Sequence, residues 1–123
     1  MRKDKLVKSV ICILLMACAL SVHAQTAKTK RIPQIENDRV SVWNTIIYPT
    51  QKAQLTMHRH EHDRVLVALT NGLLKVTNNH NKVHYLKLKK GMSYYLKKDP
   101  QRELHVDENM AKHPVSVIVI ELK

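Results

Sequence analysis

The chain has 123 residues, with 21 Lys/Arg against 10 Asp/Glu, a net charge of +11, eight His, two Cys and two Gly. That length suits one small domain around one core. The lysines are scattered, and aromatic residues make up only 4% of the chain. It therefore lacks the stacking platforms of a single-stranded nucleic-acid binder, and the charge reads as a solvated, anion-attracting surface with no nucleic-acid partner.

In chain order, the first segment is predicted to be removed. Arg2, Lys3, Lys5 and Lys8 precede an apolar run from Val10 to Val22, and Val22-His23-Ala24 offers small residues at the positions a signal peptidase reads. The run is shorter than the ~20 residues of a membrane span. Residues 1–24 are thus expected to be a helical, cleaved secretory signal peptide of an exported, periplasmic or secreted protein. Leu15-Met16-Ala17-Cys18 supplies the alternative, a lipoprotein anchored through Cys18. Cys12 and Cys18 both fall in the signal, so the mature chain has no disulfide and no thiolate ligand. Removal lowers the charge from +11 to +8, because the segment carries four Lys/Arg and one Asp. Residues 25–37 are polar and aperiodic and are expected to be a flexible leader.

From residue 38 the pattern is β. Strands are predicted from Val40 to Tyr48, Gln54 to His60, Arg64 to Leu69, Leu73 to Thr77, Val83 to Leu88, Ser93 to Leu96, Glu103 to Asp107 and Val115 to Leu122. Asn71-Gly72 signals a hairpin turn, and Lys90-Gly91 a second turn. Short strands with regular turn signals and no helical period predict an all-β sandwich or barrel over residues 38–123. The run Val65 to Leu69 is apolar at every position, so it is expected to be buried on both sides, the outer one in a homodimer.

The segment His58-Arg59-His60-Glu61-His62 is the densest chemistry in the chain. Alternate residues of a strand share a face, so His58, His60 and His62 read either as part of a metal site or as a solvated polar turn. His62 is the weaker member, a fourth ligand or a loop residue. His80, His84 and His113 are assigned no role, and Trp43, Tyr48, Tyr94 and Tyr95 are expected to serve as core and rim packing, with only one of Tyr94 and Tyr95 facing inward.

In two motifs the chain resembles the cupin superfamily. His58-Arg59-His60 fits the His-x-His of the first motif, and Gly91, Pro100, His105 and Asn109 follow the order of the second. The resemblance spans residues 38 to 123 and implies a double-stranded β-helix, a small jelly-roll barrel. It also implies a divalent transition metal (Fe, Mn, Zn or Ni) in the barrel mouth, held by His58, His60 and His105. The chain departs from the pattern in four places: Arg64 stands where the metal-binding glutamate usually stands, Gly91 to Pro100 is about three residues longer than the family spacing, Asn71 replaces a glycine, and Arg102 replaces the glycine of Pro-x-Gly. A guanidinium would repel a divalent cation. Arg64 therefore reads as an anion contact beside the metal, as a residue turned to solvent and paired with Glu61 or Asp63, or as the mark of a lost metal. Three function classes follow: a metalloenzyme of dioxygenase or isomerase type, a metal-free or metal-assisted small-molecule binder without turnover, and a scaffold; the small-molecule ligand is anionic if Arg64 contacts it.

Overall fold

The computed structural model describes residues 29–49 and 56–123; the predicted signal and residues 25–28 of the predicted leader lie outside them. Eight strands make up the described chain: β1 (Lys30–Glu36), β2 (Val40–Ile47), β3 (Arg64–Ala68), β4 (Gly72–Asn78), β5 (Val83–Leu88), β6 (Ser93–Leu96), β7 (His105–Asn109) and β8 (Val115–Leu122). They form a five-stranded sheet in the order β1-β2-β8-β3-β6 and a three-stranded sheet in the order β5-β4-β7, and every strand pair is antiparallel. The all-β reading is correct, and among the described residues there is no helix.

The core lies between the two sheets. Trp43, Ile47, Leu66, Ala68, Leu74, Leu88, Val115, Val117 and Val119 pack as one cluster, each at the inward position of its strand. In β3 the inward set is Arg64, Leu66 and Ala68, while Val65 and Val67 are half-buried on the outer face and Leu69 is exposed. The expectation of full burial on both sides therefore holds on the inner side alone.

Four local readings need correction. Residues 30–36 are not leader but an edge strand, paired with β2 from Lys30↔Ile46 to Glu36↔Ser41. A bulge between Pro33 and Ile35 hid it, because one extra residue re-phases the alternation and puts Ile32 and Ile35 on one face at an odd spacing. Pro33 is tolerated because a sheet edge does not need its missing N–H. In the expected strand from Gln54 to His60, residues 54 and 55 lie outside the described chain, and His58 alone among residues 56–60 is bridged, to His105.

Asn71-Gly72 is not a hairpin turn: β3 and β4 belong to different sheets, and neither residue has positive φ. Gly72 is needed for space instead, since a Cβ there would sit 2.5 Å from Val115 Cγ2. Finally, the strand expected from Glu103 runs from His105 to Asn109, because Arg102 turns the chain at φ +65° and Glu103 N–H closes the turn on Pro100 O. Arg102 thus adopts the left-handed conformation that glycine takes most cheaply.

These burial differences predict that Leu66→Ala costs about 2–5 kcal/mol of unfolding free energy and Val65→Ala clearly less. Chemical denaturation measures both, and equal losses would contradict the assignment of the inner face.

Candidate metal centre

Two distant segments meet at one end of the inner space. His58 and His105 exchange both backbone hydrogen bonds, His58 N–H to His105 O at 2.9 Å and His105 N–H to His58 O at 2.8 Å. This isolated antiparallel bridge sets their side chains side by side, with ring centroids 4.4 Å apart. His60 is fixed by a second pair of bonds: its N–H donates to Asp99 Oδ2 at 2.6 Å, and Asp99 N–H donates to His60 O at 2.9 Å. Its ring centroid lies 5.0 Å from that of His58 and 5.3 Å from that of His105.

Asp107, two residues beyond His105 on β7, points to the same face. Its Oδ2 lies 3.2 Å from His58 Nε2 and 3.7 Å from His105 Nε2. His58, His60, His105 and Asp107 each offer a ligand atom, all within 4.8 Å of one another. The set could hold a metal ion, and three imidazoles with one carboxylate suit a divalent transition metal. Two rings are already oriented for this. A carbonyl or carboxylate oxygen only accepts, so His58 Nδ1 donates to Thr56 O at 3.1 Å and His105 Nδ1 faces Asp99 Oδ2 at 3.3 Å. Both rings then present Nε2 inward.

The protonation pattern follows from these partners. Without a metal, the hydrogen bond to Asp107 raises the His58 pKa against the effect of burial, and the ring lies between Thr56 O and Asp107 Oδ2. Burial, helped by the Arg64 charge, pushes His60 down to about 4. Burial also lowers His105. For Asp107, burial acts upward, but the hydrogen bond from His58 and the neighbouring imidazoles bring the carboxyl below its usual value.

Of the sequence-predicted residues, His58, His60 and His105 come together. His62 does not: it is exposed and outside the cluster. Arg64 is neither turned to solvent nor paired with Glu61 or Asp63. It is 7% exposed and lines the cavity; Nη1 donates to Lys97 O at 3.3 Å, and Nη2 lies 4.0 Å from Asp99 Oδ1. Glu61 pairs with Arg59, while Asp63 accepts from Tyr95 Oη and Lys98 N–H. Sequence reasoning missed Asp107 and Asp99. The first was readable from the period of two that joins it to His105; the second sits in the loop between β6 and β7, where no period applies.

The centre opens on a cavity of about 1150 Å³ whose lining includes Trp43, Leu66, Leu74, Val76 and Val119, with the cations Arg31, Arg64, Lys82 and Lys97. Arg31 stands with its guanidinium 4.1 Å above the Trp43 ring, a cation–π contact.

No family model matches the sequence, and no curated protein matches it. Solved structures do. A cupin domain from Bordetella pertussis Tohama I is similar at 27% identity and a TM-score of 0.65, covering 78% of this chain and 94% of that one. A Klebsiella pneumoniae protein with a double-stranded β-helix domain gives 17% identity and a TM-score of 0.57, over 79% and 78% of the two chains. Fe(II)-HppE, crystallised with an alternative substrate, gives 9% identity and 0.60, over 77% of this chain and 50% of its own. The chain has the double-stranded β-helix fold of the cupin superfamily.

The shifted histidines predict a pH dependence in the metal-free protein. His60 and His105, both lowered, contribute stability above the unfolded value of 6.5 that is lost as pH falls, through about 4 for His60. His58, which is raised, works in the opposite sense and loses its contribution as pH rises through its folded pKa. The stability gap between wild type and His60→Gln should therefore narrow between pH 6.5 and 4. Parallel melting curves across that window would contradict the burial of a neutral His60.

Proposed function

We propose that the chain is an exported cupin that holds one divalent transition metal on His58, His60, His105 and Asp107 and binds an anionic small molecule in the adjoining cavity. The observation carrying this is the convergence of four donor atoms within 4.8 Å, with Nδ1 of two rings turned outward, to Thr56 O in His58 and to Asp99 Oδ2 in His105. When bound, the metal would supply Lewis-acid binding of a ligand oxygen or nitrogen. Four protein donors close a tetrahedral zinc but leave positions free on a six-coordinate metal such as Fe, Mn or Ni. This favours a centre that takes a ligand over a purely structural one. The similar HppE structures contain Fe(II) and Co(II).

The anionic character of the ligand rests on the lining. Arg31, Arg64, Lys82 and Lys97 face Asp99, Glu103 and Asp107 there, and a divalent cation would add to the positive excess. An apolar wall with a few convergent polar groups is the usual build of a small-molecule site. The carboxylate absent at position 64 is supplied by Asp107 from the neighbouring segment.

Protein exposed to Fe, Mn, Zn and Ni should carry stoichiometric metal, and His60→Ala should lose most of it. Elemental analysis with calorimetric titration measures this, and a wild type without stoichiometric metal would overturn the reading. In the loaded protein, benzoate should bind more tightly than benzamide; equal affinities would remove the anion from the proposal.

A further inference from the structure

We infer that Asp99 is the positioning residue of this centre: one carboxylate in the loop between β6 and β7 orients His105, anchors His60 and neutralises Arg64. The inference rests on the metal reading above and deepens it. The Asp99 side chain is 15% exposed, and both its oxygens are used. Oδ2 accepts from His60 N–H at 2.6 Å and faces His105 Nδ1 at 3.3 Å, while Oδ1 lies 4.0 Å from Arg64 Nη2. The backbone joins in, with Asp99 N–H on His60 O at 2.9 Å. The loop itself is held by Lys98 N–H on Asp63 Oδ1 at 2.7 Å.

Each contact has a separate consequence. A carboxylate on Nδ1 fixes the tautomer that leaves the Nε2 lone pair of His105 for a metal, and makes that nitrogen a stronger donor. The bonds to His60 hold in place a segment that has no strand of its own. The counter-charge explains how a buried guanidinium can stand beside a cation site: one Arg64 nitrogen is taken by Lys97 O and the other faces Asp99. Arg64 is thereby a scaffold element paired within the protein, which leaves Arg31, Lys82 and Lys97 of the lining to face the ligand's anion.

The test separates these roles. In metal-free wild type, ¹⁵N-resolved spectra of the imidazoles should show His105 protonated on Nδ1. Asp99→Asn, close in shape but uncharged, should lower the affinity for Co²⁺ alone by about 10- to 100-fold, read by calorimetry and by a changed Co²⁺ visible spectrum. The loss should persist when Asp99→Asn is placed on Arg64→Met and compared with Arg64→Met alone. Recovery in that background would reduce Asp99 to a counter-charge and overturn the positioning role. A wild-type His105 protonated on Nε2 would overturn it without any variant. If the wild type takes no Co²⁺ while His105 carries its proton on Nδ1, the metal reading fails and the orientation of His105 by Asp99 stands.

Discussion

The reciprocal pair of backbone hydrogen bonds between His58 and His105 is the constraint on which the centre depends. The two residues lie 47 positions apart in sequence, and the segment carrying His58 has no other β pairing among the described residues. One narrow bridge therefore decides whether the imidazoles meet. It works because β7 is itself seated on β4, with His105 opposite Asn78 and Asp107 opposite Val76. The position of His105 is thus set by the three-stranded sheet, and His58 is set by His105. The closure entropy of so long a loop is met by the packed barrel as a whole, not by the bridge.

Charge is the second constraint. The Arg64 guanidinium is buried beside the imidazoles, and an unpaired buried charge is costly. The chain answers with two acidic residues on either side of His105: Asp99 toward Arg64, and Asp107 toward the imidazole Nε2 atoms. Asp107 also lies 3.2 Å from His58 Nε2 and raises the pKa of that ring, a contact that a metal would replace.

Much of this was legible in the sequence. The strands Val83–Leu88, Ser93–Leu96 and Val115–Leu122 show their bounds because each is a short run rich in β-branched, aromatic and aliphatic residues between loop or turn residues. The three converging histidines were legible from motif spacing. What stayed hidden has physical reasons. Strand β1 is exposed along its whole length and re-phased by a bulge, which erases the period of two. Gly72 reads as a turn residue, yet its role is to admit Val115, a packing fact that no local pattern encodes. Asp99 acts from a loop, and its partners at His60, Arg64 and His105 are distant in sequence, so only the folded chain brings them together.

The proposed centre requires that His58, His60, His105 and Asp107 close around a single ion. Crystals grown with Co²⁺ and measured at the cobalt absorption edge test it most directly. One strong anomalous peak is expected within coordination distance of all four side chains, with His105 bound through Nε2 and Asp99 still facing its Nδ1. An ion seated at His62, His80 or His84, or a cluster in which Asp107 remains on His58 with no anomalous peak between the rings, would contradict it.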